Sequence, residues 1–308
     1  MFGVGIHARI NRNHQVIKKL LSATAATSFA LLATLPSCGK SANSGMEIEN
    51  RGSDTLLEVA VAFSEIYVKE HPEIAISVSG GGSGTGISAL IAGDLQIANS
   101  SRPFKDVEIA DAKKHGVTPV EHIVGYDGIA IYVHKDNPIK SLTISQLNAL
   151  FGDAGKIENW SDLGIDVADK SDDNIVLLSR QSSSGTYECF LETALHEAGR
   201  FKQRCNLMNS SKDVVKECAN NISAIGYSGI AYASDAVRIV PIKKDEAAPA
   251  VLPTVDSVLD KSYPISRPLY MYTDGEPTGN IKGYIDWIKS DAGQKVLVAK
   301  RYVPLRKM

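Results

Sequence analysis

Residues 74–92 read Ile74-Ala75-Ile76-Ser77-Val78-Ser79-Gly80-Gly81-Gly82-Ser83-Gly84-Thr85-Gly86-Ile87-Ser88-Ala89-Leu90-Ile91-Ala92. Residues 74–78 are apolar and β-branched at alternate positions, which predicts a strand. Residues 79–86 predict a glycine-rich turn, and residues 88–92 continue as a helix. Strand, loop, helix is the repeating unit of an α/β chain, and the same unit recurs on either side. Upstream, residues 47–51 predict a short strand. Leu56, Leu57, Val59, Ala60, Phe63, Ile66 and Tyr67 then mark the apolar face of a helix closed by His71-Pro72. Downstream, strands are predicted at 95–98, 117–124, 128–134, 175–178 and 268–273. Helices are predicted at 106–115, 187–198, 212–220 and 281–289, the last of these ending the helical series. Thr143 and Gln146 have the spacing of a capping box and start one more helix. The alternation predicts an α/β fold with a mostly parallel sheet, and a second lobe that begins after residues 128–134.

The chain has 308 residues, of which 44% are hydrophobic and 22% charged, proportions that support a folded core and argue against disorder. Its formal net charge is −2 and no long basic block occurs, which excludes nucleic acid as the main partner. The N-terminus differs from the rest. Arg9, Arg12, Lys18 and Lys19 form a basic leader, residues 20–36 carry no charge, and Leu35-Pro36-Ser37-Cys38-Gly39 follows. These are the parts of an export signal. Cys38 sits where a bacterial lipobox places its lipidated cysteine, with Pro36 an unusual occupant of that box. An uncleaved membrane anchor is the competing reading, for which the apolar run is slightly short. Residues 1–37 are thus expected to be a lipoprotein signal peptide and 38–46 a tether, with the body outside the cytoplasm. Removing the signal takes away four basic and no acidic residues, which moves the net charge to −6. An acidic protein that binds an anion needs a dedicated site rather than an overall field.

Cys189, Cys205 and Cys218 remain after Cys38. Either one disulfide forms, for which Cys205 and Cys218 are the better-spaced pair, or all three are buried thiols. No Cys-x-x-Cys or His-x-x-x-His spacing suggests a metal, and no cofactor is expected.

Three segments share one design, a strand entering a Ser/Thr/Gly loop that opens a helix. They are Arg51-Gly52-Ser53-Asp54-Thr55, residues 80–86, and Arg180-Gln181-Ser182-Ser183-Ser184-Gly185-Thr186. Glycine permits close backbone approach, free N–H groups of a helix's first turn face an anion, and hydroxyls add donors without charge. Arg180 adds a planar cation. Any one such loop is commonly a plain helix cap. Three of them, spread over both lobes, point to one tetrahedral oxyanion. The glycine spacings complete neither nucleotide-binding signature.

The order of residues 52–55, 80–86, Ile97-Ala98-Asn99-Ser100-Ser101-Arg102-Pro103, Tyr126-Asp127-Gly128-Ile129-Ala130 and 180–186 resembles the phosphate-binding protein of bacterial ABC phosphate importers. Tyr263-Pro264-Ile265-Ser266-Arg267-Pro268-Leu269-Tyr270 is similar to that family's late strand. The resemblance covers nearly all of residues 47–308. It implies a two-lobed periplasmic-binding-protein (type II) fold, α/β, with mixed and mostly parallel sheets joined by two crossing strands. Residues 47–128 and 264–308 would form lobe I and residues 129–263 lobe II. It further implies phosphate as ligand, a membrane permease as partner, a lipid anchor in the membrane, and a monomer. Carried over by position, Thr55, the Leu56 N–H, Ser83, Arg180, Ser184, Gly185 and Thr186 contact the anion, with Ser53 in the same first loop.

Ser101 departs from the family pattern, since long members carry there an Asp that accepts the phosphate's proton. Asp54 is the acidic residue left in the loops and is expected either to take that role or to cap its helix. Arg102 either reaches the ligand or pairs across the lobe. A binder of sulfate, molybdate or tungstate and a phosphate-sensing lipoprotein are competing readings. A phosphatase-like hydrolase is disfavoured, because the loops contain no Gly-x-Ser-x-Gly elbow and no histidine base. His71, His115, His122, His134 and His196 read mostly as surface residues.

Overall fold

The computed structural model describes residues 47–167, 173–196 and 199–308. The expected signal peptide, the tether and Cys38 lie outside these residues, as does the end of the helix predicted over 187–198. In chain order the elements are β1 (Glu47–Gly52), α1 (Asp54–Glu70), β2 (Ala75–Ser79), α2 (Ser83–Ala92), β3 (Ile97–Ser100), α3 (Asp106–Lys114) and β4 (Pro119–His134). Then follow β5 (Leu142–Thr143), α4 (Ile144–Phe151), β6 (Val176–Arg180), α5 (Gly185–Phe190), β7 (Asn206–Met208), α6 (Ser211–Asn220), β8 (Ala224–Gly229), β9 (Val237–Val240) and β10 (Ile242–Lys243). The chain closes with α7 (Val255–Leu259), β11 (Ser266–Asp274), α8 (Gly279–Lys289) and α9 (Asp291–Ala299).

Strand order runs β2-β1-β3-β11-β4-β8-β6-β7, with β9 also on β4. The β1–β2, β1–β3, β6–β7 and β6–β8 pairs are parallel, and β11 and β4 make antiparallel pairs. The sheets are therefore mixed, as the resemblance implied, but they are not mostly parallel, because β4 and β11 run antiparallel to all their neighbours. One strand belongs to both halves. Residues 119–128 of β4 pair with β11, and residues 129–133 pair with β8. The two strands predicted at 117–124 and 128–134 are thus one. Gly125 and Gly128, at the junction of the two ranges, serve packing. A Cβ on Gly125 would come 2.5 Å from Leu297 Cδ1, and one on Gly128 would come 2.8 Å from Pro253 Cβ. The second crossing lies just before β11, where Ile129 N–H donates to Ile265 O at 2.8 Å.

Both halves are layered. In the first, Leu56, Val59, Ala60 and Phe63 of α1 fall on one helical face and pack with Tyr284 and Leu297 against Ile48, Ile97 and Met271 of the sheet. Truncating Phe63 to alanine is expected to cost about 3–5 kcal/mol. On the other face, Leu90 of α2 packs against Ala98 and Tyr270. In the second half, Ile129, Ile131, Leu177, Ile225 and Tyr227 meet Leu147, Leu150 and Phe151 of α4, together with Trp160 and Phe190. Across that sheet, Val214 and Cys218 of α6 cover Ala130, Tyr132 and Leu178.

The capping box at α4 forms as predicted: Thr143 N–H donates to Gln146 Oε1 at 2.9 Å, and Gln146 N–H to Thr143 Oγ1 at 3.1 Å. Other expectations change. Helix α2 starts at Ser83, inside the predicted turn, and α5 starts at Gly185 before passing into a π turn at Leu191–Leu195. No strand is predicted over 224–229, yet this segment is β8, and α9 follows the helix read as last. Cys189, Cys205 and Cys218 are three separate buried thiols, so the Cys205–Cys218 pairing is absent. Cys218 instead donates from Sγ to Tyr132 O at 3.3 Å. His122 is buried rather than on the surface, with Nε2 at 2.9 Å from Thr273 Oγ1.

Candidate functional site

The three loops meet. Ser53 begins α1 as its N-cap residue, but its side chain donates to Ser101 Oγ at 3.0 Å instead of capping the helix. Ser83 opens α2, and its Oγ accepts from Ser101 N–H at 3.1 Å and lies 3.3 Å from Ser101 Oγ. Thr55 in the first turn of α1 reaches Thr186 in the first turn of α5, Oγ1 to Oγ1, at 2.9 Å. Gly185 fits between them only because it lacks a side chain: a Cβ there would stand 2.5 Å from both Ser83 Oγ and Ser101 Oγ. The second and third loops also join through backbone, Gly84 N–H donating to Ser183 O at 3.0 Å. Ser53, Thr55, Ser83, Ser101, Arg180, Ser184 and Thr186 are all buried. The Ser184 hydroxyl accepts from Thr186 N–H at 3.2 Å, which fixes the start of α5. The Leu56 side chain lies in the core and its N–H donates to Ser53 O at 3.1 Å.

Arg180, at the end of β6, lies at this junction. Its Nη2 donates to Asp54 Oδ2 at 3.0 Å and to Asn209 O at 3.3 Å, and its Nη1 donates to Ser211 Oγ at 2.9 Å. Asp54 Oδ1 accepts from Gly81 N–H at 3.1 Å, so this carboxylate ties the first two loops to the guanidinium of the third. Burial lowers the Arg180 pKa, with Asp54 working against that shift.

A second guanidinium was not foreseen from the sequence. Arg267, near the start of β11, donates from Nη2 to Thr186 Oγ1 at 2.8 Å, to Thr55 Oγ1 at 3.2 Å and to Asp127 Oδ2 at 3.0 Å. Its Nη1 donates to Ser101 O at 3.1 Å. Asp127, on the crossing strand β4, also accepts from Ile230 N–H at 3.2 Å through Oδ1. Burial pushes the Asp127 carboxyl up, against the opposing pull of Arg267. The available signal was an arginine two residues past Ile265 in the motif 263–270, on a strand whose other residues are mostly apolar.

Of the two readings of Arg102, the structure shows the pairing. Arg102 forms a two-pronged pair with Glu108 in the same half, Nη1 to Oε2 at 2.7 Å and Nη2 to Oε1 at 2.6 Å. The ion pair linking this region to the opposite half is Lys105 Nζ to Glu188 Oε1, at 2.7 Å.

The cluster thus offers hydroxyls, N–H groups at helix starts and two guanidiniums, each matched by a carboxylate. The arginine and aspartate charges balance, which leaves the hydroxyls and helix-start N–H groups as oriented dipoles at the junction. Among the described residues no group of His, Cys, Asp and Glu is placed to hold a metal.

Two α/β halves sharing strand β4, with donor loops from both meeting at the junction, define the PBP superfamily of two-domain binding folds. The family model described as a PBP superfamily domain matches residues 37–292. The phosphate-binding protein PstS of Pseudomonas aeruginosa is 35% identical over 282 residues, covering 88% of this chain and 87% of its own. That of Bacillus subtilis is 34% identical over 258 residues, covering 83% and 80%. A crystal structure from Clostridium perfringens, described as a phosphate ABC transporter substrate-binding protein with bound phosphate, matches with a TM-score of 0.74 at 30% identity, covering 84% of this chain and 100% of that one. The chain belongs to the PstS family of phosphate-binding proteins.

Proposed function

We propose that this chain captures inorganic phosphate between two lobes outside the cytoplasm and delivers it to the permease of an ABC importer. Lobe I comprises residues 47–128 and 264–308, and lobe II residues 129–263. The anion is held by Ser53, Thr55, the Leu56 N–H, Ser83 and Ser101 from lobe I, and by Arg180, Ser184, Gly185 and Thr186 from lobe II. Asp54 accepts the proton that phosphate retains at neutral pH. Arg267 adds a guanidinium at the hinge. Export under the signal of residues 1–37 and lipidation at Cys38 keep the monomeric protein on the membrane surface near its permease.

The observation that carries this reading is the meeting of Thr55 with Thr186 and of Ser83 with Gly185, because each pair takes one member from each lobe. A ligand bonded to all four holds the lobes together, which is how a binding protein couples capture to closure. The related Clostridium perfringens structure with bound phosphate supports the choice of anion. Calorimetry tests the reading: one phosphate per chain is expected, with phosphate esters left intact. Steady release of phosphate from an ester would mean catalysis instead. Loss of the full chain from the membrane fraction on Cys38→Ala tests the anchor, and unchanged membrane association would remove it from the account.

A further inference from the structure

Asn50 on β1 and Asn99 on β3 are 0% and 1% exposed, and in both side chains neither the amide oxygen nor the amide nitrogen meets a protein partner. The strand register pairs Asn50 with Ile97 and Gly52 with Asn99. The two asparagines therefore lie diagonally on one face of neighbouring parallel strands. That face is the one packed against α1 and α8, because Ile48, two residues before Asn50, and Ile97, two before Asn99, belong to the cluster of Leu56, Phe63 and Tyr284. Tyr284 is fully buried and its hydroxyl also meets no protein partner. Burial raises the Tyr284 pKa and hydrogen bonding with the Asn50 side chain works against that shift, although the two groups stand too far apart for a direct bond of good geometry.

Buried amides and phenols in native proteins are almost always hydrogen-bonded, to protein or to ordered water. Two amides and a phenol supply both donors and acceptors, a set that a water molecule with its two hydrogens and two lone pairs satisfies. The set carries no charge, so a cation would enter an apolar core without compensation, at far greater cost. We propose that Asn50, Asn99 and Tyr284 hold ordered water inside the first half, and that this water supports the loops above it. Asn50 lies two residues before Gly52, and Asn99 two before Ser101. The Asn99 carbonyl also accepts from Ser53 N–H at 2.9 Å. Fixing these strand ends fixes Ser53, Thr55 and Ser101.

The supporting role rests on the phosphate reading, whereas the water itself does not. A high-resolution crystal structure of the full chain is expected to show ordered water bonded to Asn50 and to Asn99 or Tyr284. Amides bonded directly to protein groups with no water between them would overturn the proposal, whether or not the protein binds phosphate. The variant Asn50→Leu/Asn99→Leu should lose the water, keep its secondary structure and bind phosphate several-fold more weakly. Unchanged affinity in a variant that has lost the water would overturn the supporting role. Should the double variant fail to fold, Asn50→Leu alone carries the affinity test, with the same two outcomes, and the wild-type density decides the hydration.

Discussion

Arg267 and Asp127 form a buried ion pair, Nη2 to Oδ2 at 3.0 Å, whose guanidinium also touches Thr55, Ser101 and Thr186. One side chain thus binds the crossing strand β4 and loops from both halves. Removing one partner of such a pair leaves the other charged and dry, at a cost of about 3–5 kcal/mol. Arg267→Met is expected to lower stability by that order, and adding Asp127→Asn should restore much of it while phosphate binding stays weak. Chemical denaturation of the three variants, with calorimetry on those that fold, checks both statements. Equal stability of the single variant and the wild type would show that the pair contributes nothing net.

Arg180→Ala is expected to weaken phosphate binding by roughly 2–4 kcal/mol, since it removes a charge-assisted donor and frees Asp54 from its partner. Thr186→Ala should cost less, because hydroxyl donors are neutral. Titration calorimetry ranks the two. Near-wild-type affinity in Arg180→Ala would place the anion elsewhere.

Asp54 bears on selectivity. At neutral pH phosphate still has a proton to donate and sulfate has none, so a carboxylate in the site favours the first and repels the second. Asp54→Asn should weaken phosphate binding and let sulfate compete, with the fold intact by circular dichroism. Full rejection of sulfate by Asp54→Asn would reduce Asp54 to an anchor for Arg180.

Two carboxylates predict opposite slopes of stability against pH. Burial pushes Glu108 up, but the hydrogen bonds from Arg102 and the Lys105 N–H outweigh it and hold the carboxyl below its usual range. A pKa depressed in the folded state gives stability that is present above the unfolded value and lost as pH falls through the folded one. Asp127 is raised, so its contribution is complete below the unfolded pKa and declines as pH rises through the folded one. Glu108→Gln should therefore flatten the acid limb of a melting-temperature profile. An acid limb as steep as that of the wild type would mean Glu108 does not cause it.

Local signals made much of the fold legible. The spacing of Leu56, Val59, Ala60 and Phe63 marked α1, and Thr143 with Gln146 marked the start of α4. The loops around Ser83 and Thr186 were legible as donor sets, because Ser, Thr and Gly before a helix carry a local meaning. Where glycine served packing, the sequence misled. Gly226 lies inside β8, where a Cβ would come 2.7 Å from Val214 Cγ1, and no strand is predicted there from the sequence. The Arg267–Asp127 pair was hidden for another reason. Its partners lie 140 residues apart, and the apolar run around Arg267 carries no sign of the carboxylate it meets.

The central claim is that one phosphate bridges the two halves, and a crystal structure of the chain grown with phosphate tests it most directly. The account predicts a single anion bonded to Thr55 and Ser83 on one side and to Arg180 and Thr186 on the other. An anion held by only one half, or a junction without an anion at saturating phosphate, would contradict it.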